Sequence, residues 1–126
     1  DASADTAIVT YGRLFFEAAK AVKELPKHNI NAKVLKLNRI KPVDPDALKE
    51  AMNAKHIFFY EEGVRSGGIG EKFAAELLQH GYKGCYDITA VEDCFVKQAK
   101  VPELIKQYKF DSESMVNKIV EKMTEV

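Results

Sequence analysis

HIFFY, residues 56–60, is the most informative stretch of the chain. After His56 it is continuously apolar, without the polar–apolar alternation of a strand that has one face in water. This pattern predicts a strand buried on both faces, as in the centre of a parallel sheet covered by helices. The next residues, EEG at 61–63, predict the end of that strand, and a glycine-rich loop follows over residues 63–70.

The segments on either side of this strand alternate between strand and helix patterns. Strands are predicted at residues 6–11, 32–38 and 84–88, where short β-rich runs end near turn residues. Apolar residues at helical spacing predict helices over residues 13–25, after Asp44-Pro45, from Ile69 through Leu78, over 101–108 and after Asp111. Strands that alternate with helices predict a three-layer α/β/α sandwich with a largely parallel sheet.

Length and composition limit the function classes. The 126 residues fit one domain, and we predict a flexible leader over residues 1–5 and a single domain over 6–126. The 19 basic and 19 acidic residues cancel, so charge gives no reason to expect nucleic acid or a membrane as a partner. The acidic N-terminus does not resemble a signal peptide, and no run approaches the ~20 apolar residues of a membrane span. We therefore expect a cytoplasmic protein.

The glycine-rich loop is the first candidate site. Gly67, Gly68 and Gly70 lie at the start of a predicted helix, where free N–H groups and the positive helix end favour an anion. However, the spacing is neither that of a P-loop nor GxGxxG. We favour a structural interpretation, in which Gly67 and Gly68 supply backbone angles or close approaches that a Cβ would prevent.

Glu61 and Glu62 form the second candidate site. At the carboxyl end of a central strand, a carboxylate is a candidate general base. Adjacent strand residues point to opposite faces, so the two carboxylates cannot share one proton. We expect one of them to accept hydrogen bonds from N–H groups of the loop. The cations Arg39 and Lys41 follow the second strand, where we favour a salt-bridged or inter-domain contact over a ligand site.

The remaining candidates give weak signals. His28, His56 and His80 lack the Ser or Cys neighbours of a catalytic triad. Cys85 and Cys94 lack metal-ligand spacing; we expect small buried side chains, and the sequence leaves a disulfide open. From its residues alone, the chain is an α/β domain without a self-sufficient active site.

The order of five motifs resembles the C-terminal domain of 1-deoxy-D-xylulose-5-phosphate synthases. AIVTYG at 7–12 is similar to the apolar strand and Gly that open that domain, LNRIKPVD at 37–44 to N-x-R-F-x-K-P-L-D, and YEEGVRSGGIG at 60–70 to V-E-E-x-x-x-x-G-G-x-G. DCFVKQ at 93–98 is similar to D-x-F-V-x-Q/H, and FD at 110–111 to the end of G-L-D. Two positions depart from the family pattern: Ala99 and Lys109 stand where the family has Gly.

The resemblance implies a transketolase C-terminal fold with five strands, one of them antiparallel, and a fifth strand at residues 91–96. It also implies that two segments serve packing between domains and subunits. These are the loop (Glu61, Glu62, Gly67, Gly68, Gly70) and the turn after the second strand (Arg39, Lys41, Pro42, Asp44).

The resemblance further implies a parent transferase that condenses pyruvate with glyceraldehyde 3-phosphate and releases CO₂. Its product feeds isoprenoid, thiamine and pyridoxal synthesis. Thiamine diphosphate and Mg²⁺ bind such parents through a GDG…N motif, which this sequence lacks. We therefore predict no catalytic, cofactor or metal residue here and no activity of the isolated domain, which would support a homodimer and the parent's other domains. Two alternatives are the C-terminal domain of a transketolase or 2-oxo-acid dehydrogenase E1 β subunit, and a stand-alone anion-binding module built on residues 63–70.

Overall fold

The structure is a computed structural model, and it describes residues 4–38, 43–64, 67–91 and 105–124. Residues 105–107 are helical. The other elements, in chain order, are β1 (Thr6–Thr10), α1 (Leu14–Glu24), a 3-10 turn (Leu25–His28), β2 (Ala32–Lys36), α2 (Pro45–Ala51), β3 (His56–Val64), α3 (Ile69–Gln79), β4 (Cys85–Val91) and α4 (Ser112–Thr124).

The four described strands form one sheet in the order β2-β1-β3-β4, and each neighbouring pair is parallel. The α/β architecture and the mostly parallel sheet predicted from the sequence are thereby confirmed. A fifth strand was expected at residues 91–96. Val91 is instead the last residue of β4, which runs three residues beyond its predicted end, and residues 92–96 lie outside the described part of the chain.

Both faces of the sheet are covered. Phe58 and Tyr60 of β3 pack with residues of α1 and α4 in one core cluster, while Phe59 packs with residues of α2 and α3 in the other. Ile57, Phe58 and Phe59 are at most 2% exposed. The continuous apolar run therefore has the cause that we predicted, burial on both sides of a central strand.

Helix starts follow their capping residues. The Asp44 carboxylate accepts N–H bonds from Asp46 and Ala47 at 3.0 and 3.4 Å, with Pro45 as the first helical residue. Asp111 accepts a bond from the Ser114 N–H at 3.2 Å. Such bonds satisfy N–H groups that have no partner within the helix, which confirms both predicted caps.

Four details differ from the sequence predictions. Leu78 is 74% exposed rather than inward, because it lies a full 100° step beyond the buried Leu77. Helix α1 continues past Pro26 as a 3-10 turn, since a proline fits the first turn of a helix. β3 extends to Val64, which pairs with β4 after a register shift. Residues 4 and 5 belong to the folded domain: Ala4 is buried, and the Asp5 carbonyl accepts N–H bonds from residues 55 and 56.

Candidate functional site

Glu61 is the centre of the predicted loop site. It lies on β3, is 1% exposed and points to the face covered by α3, two residues after Phe59. One carboxylate oxygen, Oε1, accepts the Gly70 N–H at 2.8 Å. The other, Oε2, accepts the Ile69 N–H at 3.2 Å and the Tyr11 hydroxyl at 2.8 Å. The chain's own carboxylate therefore binds the positive end of α3, and the prediction that one of the pair accepts N–H bonds from the loop is confirmed.

Glycine is required at two positions of the loop for different reasons. Gly67 has φ +72°, a conformation that side chains rarely adopt, and its N–H donates to the Glu71 carboxylate at 2.7 Å. A Cβ on Gly70 would lie 3.0 Å from Glu61 Oε1 and 3.1 Å from Phe59 Cδ1. Gly68 has φ −77°, so of the two expected reasons for glycine there, a special backbone angle or a close approach, the first does not apply.

These bonds use the N–H groups that the described residues of the loop would offer to an anion. The N–H groups of Gly67, Ile69 and Gly70 already bind the carboxylates of Glu61 and Glu71. An external anion would have to displace a buried carboxylate from three hydrogen bonds, which is costly. In the described part of the segment, residues 63–64 and 67–70, the geometry thus gives no support to the alternative of an anion-binding module.

Two tyrosines complete the surroundings of Glu61. Burial, together with the hydrogen bond to Glu61, raises the pKa of Tyr11 well above its usual value. Burial also raises the pKa of Tyr86, whose hydroxyl donates to the Gly70 carbonyl at 2.6 Å. Both phenols stay protonated at neutral pH and act as fixed donors. The cluster therefore holds the strand-to-helix turn together through its own hydrogen bonds.

Glu62 points away from this cluster, as the strand alternation predicts. Its carboxylate accepts two hydrogen bonds from Arg13, one from Nε at 2.7 Å and one from Nη2. The bond with Glu62 raises the pKa of the Arg13 guanidinium. This partly exposed ion pair links the end of β3 to the residue before α1, so Glu61 and Glu62 occupy separate sites.

The other predicted site residues are scattered. Arg39, Lys41 and Pro42 lie outside the described residues, as does Cys94, whereas Asp44 caps α2. Cys85 is exposed at the start of β4, so its expected burial is wrong; it is a free thiol on the last described strand of the sheet. Of the two that the structure describes, neither Asp44 nor Cys85 is a partner of Glu61.

The sequence analysis missed a second polar cluster, on the face of the sheet under α4. Lys118 donates to the Thr89 hydroxyl and forms an ion pair with Asp87 at 3.1 Å. Its ammonium also lies 5.8 Å from the centre of the Tyr60 ring. The spacing of Asp87 and Thr89 on β4 was an available signal, because residues two apart on a strand share a face.

Tyr60 is the buried member of this cluster. Burial is the main cause that raises its pKa far above the usual value. Its hydroxyl is near Thr89, but it completes no hydrogen bond with the described residues. The Thr89 hydroxyl accepts a bond from Lys118, and the Tyr60 phenol is a buried donor without an acceptor in the described part of the molecule.

The chain matches the family described as "Transketolase, C-terminal domain" over residues 1–115. It belongs to that family. It is 28% identical over 119 residues to a putative transketolase C-terminal section of Methanocaldococcus jannaschii, covering 94% of this chain and 37% of the relative. It is 32% identical over 120 residues to the 1-deoxy-D-xylulose-5-phosphate synthase of Clostridium beijerinckii, covering 92% and 19%.

A solved structure supports the same relationship. A split-gene transketolase, described as an "inactive beta4 tetramer", has 27% sequence identity to this chain and a TM-score of 0.78. The match covers 95% of this chain and 38% of that chain. The chain thus spans less than two fifths of the length of the proteins it matches. Its resemblance to these enzymes concerns their C-terminal portion.

The described residues contain no preformed cluster of metal-ligating side chains. Within residues 4–38, 43–64, 67–91 and 105–124, no three His, Cys, Asp or Glu side chains are grouped so that they could hold a metal ion. Mg²⁺ bound to a diphosphate takes oxygen ligands, usually one or two carboxylates besides the phosphate oxygens. The N–H groups at the start of α3, the other candidate diphosphate cradle, bind Glu61. Among the described residues, no helix is both long and apolar enough to span a membrane.

Proposed function

We propose that the chain is the C-terminal support domain of a thiamine-diphosphate-dependent enzyme, with a 1-deoxy-D-xylulose-5-phosphate synthase as the leading parent. Support for the synthase comes from curated relatives with that name, at 28–32% identity over 91–92% of this chain. The motifs at residues 37–44 and 60–70 support the same parent. The parent would condense pyruvate with glyceraldehyde 3-phosphate in the cytoplasm, as a homodimer.

One observation carries the support role. Glu61, the most buried acidic residue on the sheet, accepts three hydrogen bonds, all from its own chain. A carboxylate has about four acceptor positions, so little capacity remains for a substrate or cofactor. The loop that looks most like a ligand site thus fixes the packing of α3 on β3, and its outer residues are left for contact with other domains.

In this proposal the cofactor binds to other parts of the parent. Thiamine diphosphate would supply the electron sink for the carbanion formed from pyruvate. The residues of this chain would contribute indirectly. Arg13 and Glu62 would fix the end of β3, and Glu61 would keep the loop in one conformation against the neighbouring domain.

Calorimetric titration of the 126-residue chain with thiamine diphosphate and Mg²⁺ tests whether the cofactor binds outside this domain. We expect no saturable binding, whereas the full-length Clostridium beijerinckii synthase, as a positive control, should bind under the same conditions. Saturable binding to the chain at micromolar concentration would mean that it carries a cofactor site and is not only a support domain.

A transketolase is the second candidate parent, favoured by the split-gene transketolase structure at 27% identity. An exchange of C-terminal domains between proteins distinguishes the two candidate parents, the synthase and the transketolase. The chain would replace the C-terminal domain of the Clostridium beijerinckii synthase and, separately, that of the Methanocaldococcus jannaschii section assembled with its partner polypeptide.

We expect the synthase chimera to recover activity above that of the synthase without a C-terminal domain. The same chimera with Gly70→Val, a substitution directed at the packing of the loop, should not recover. Recovery confined to the transketolase chimera would assign the chain to the second parent.

A further inference from the structure

A cavity of about 370 Å³ lies between β4 and α4, on the opposite face of the sheet from Glu61. Thr89 and Lys118 line one part, and Lys109 and Asn117 line another. Its volume falls within the range of about 300–1,000 Å³ that is typical of small-molecule sites. It also adjoins the carboxyl end of β4, the end at which parallel α/β sheets usually bind ligands.

Lys118 is held in position with binding capacity to spare. An ammonium group has three N–H donors. One donates to the Thr89 hydroxyl and a second faces Asp87, while the Tyr60 ring lies beside the group. The third donor has no partner among the described residues, and Lys118 lines the cavity. Because the Lys118 side chain is already held in place, contact with a ligand would cost it less conformational entropy.

Lys109 is the more unusual of the two lysines. Its φ is +62°, a backbone conformation that favours glycine. This chain has a lysine there, whose side chain lines the cavity and has no partner among the described residues. The Lys109 N–H donates to the Lys106 carbonyl at 3.1 Å and the Phe110 N–H to the Ile105 carbonyl at 2.7 Å, so Lys109 is the left-handed residue that ends this helical turn.

We propose that this cavity binds a small phosphate-bearing anion, with Lys109 and Lys118 as the cations that hold it. The lining holds two lysines and one carboxylate, Glu121. Lys118 is also paired at 3.1 Å with Asp87, a carboxylate outside the lining that Lys122 faces as well. Lysine binds phosphate as a point charge, whereas a planar carboxylate is better matched by arginine, which the described lining lacks. The Asn117 amide is a further donor. The site does not depend on which enzyme is the parent.

Calorimetric titration of the 126-residue chain at low ionic strength tests the site. The probes are inorganic phosphate and glycerol 3-phosphate, with glycerol as the neutral control. We expect saturable binding of at least one phosphate probe and none of glycerol. Tighter binding of the ester by about tenfold would identify a phosphate monoester as the ligand, and equal affinities would identify free phosphate.

Lys109→Gly is the decisive variant, because glycine adopts the left-handed conformation without strain and the substitution should not unfold the domain. We expect it to weaken phosphate binding by about tenfold, as expected for the loss of one charge-assisted contact, without lowering the melting temperature. Lys106→Gln removes a nearby exposed lysine that does not line the cavity and should leave binding unchanged. No saturable binding of either phosphate probe to the wild type would overturn the proposal, as would equal losses in the two variants.

Discussion

The two faces of the sheet differ in how completely their polar groups are paired. Under α3, the Glu61 carboxylate accepts three hydrogen bonds from its own chain. Under α4, Lys118 has an unused donor, the Tyr60 hydroxyl has no acceptor among the described residues, and Lys109 extends to a cavity in a strained conformation. We call the face under α3, where Glu61 is fully paired, the closed face. The face under α4, with Tyr60, Lys109 and Lys118, is the open face, and it retains donors for a ligand.

The difference shows what a glycine-rich loop before a helix does and does not indicate. Such a loop predicts an anion at the helix N-terminus, and here the anion is a side chain of the same domain. Unpaired donors and acceptors are a better guide to where a ligand could bind. Buried polar groups are normally paired, so each unpaired one requires an explanation. In this chain the exceptions lie on the side without a recognisable motif.

Gly70→Val should cause the largest loss on the closed face. Its Cβ would lie within 3.2 Å of Glu61, Phe59 and Ile88, and the added methyl groups have no space. Overpacking costs about 1–3 kcal/mol, and displacing the carboxylate from buried N–H groups adds about 1–3 kcal/mol. We expect the free energy of unfolding, measured by urea denaturation, to fall by about 3–5 kcal/mol.

Ala75→Val in the same helix is the control, since it is exposed and carries only the lower helix propensity of valine, below about 1 kcal/mol. If the two variants unfold at the same urea concentration, the loop packs less tightly than the structure indicates. The closed face would then no longer differ from the open one.

Glu61→Gln should have an intermediate effect. The amide group keeps the shape of the side chain but places an NH₂ where a carboxylate oxygen accepts the Ile69 or Gly70 N–H. One buried donor then loses its acceptor and the helix N-terminus loses a compensating charge, a cost of about 1–3 kcal/mol. Urea denaturation again measures the loss.

Glu62→Gln is the matched control one residue away. Its ion pair with Arg13 is partly exposed, and water screens such pairs strongly. We expect a much smaller change in the urea midpoint than for Glu61→Gln. A larger change in Glu62→Gln would reverse the roles of the two carboxylates and make the ion pair the main support of the loop.

Much of the fold could be predicted because its signals are local. The apolar run at residues 57–59, the caps at Asp44 and Asp111, and the alternation of strand and helix each depend on a few neighbouring residues. Element ends were less predictable. Leu78 continues an apolar stripe in the sequence, but only packing shows that the stripe stops at Leu77. The length of β3 likewise depends on pairing with β4.

The closed site could be predicted in part and the open cavity not at all. Glu61 and the loop are close in sequence, so alternation and helix electrostatics connected them. The open cluster joins Tyr60, Thr89 and Lys118, which are separated along the chain and meet only when α4 packs on the sheet. The Gly-to-Lys departure at position 109 was visible, but its meaning required the backbone angle of Lys109 and the cavity beside it.

Lys109→Gly should produce the smallest effect and the opposite sign. A left-handed conformation costs a non-glycine residue about 1–3 kcal/mol, and glycine's greater freedom in the unfolded chain offsets about 0.5–1 kcal/mol of that relief. We expect a gain of about 0.5–1 kcal/mol in the free energy of unfolding, measured by urea denaturation in buffer without phosphate.

Asn29→Gly is the comparison, because Asn29 has the same φ of 62° but asparagine tolerates this conformation. Its stability should change little. A clear gain at Lys109 beside little change at Asn29 would mean that the chain keeps its lysine at a cost in stability, which is what a ligand-binding role on the open face requires. Equal changes would mean that the lysine carries no special strain, and the two faces would then differ only in their hydrogen bonds.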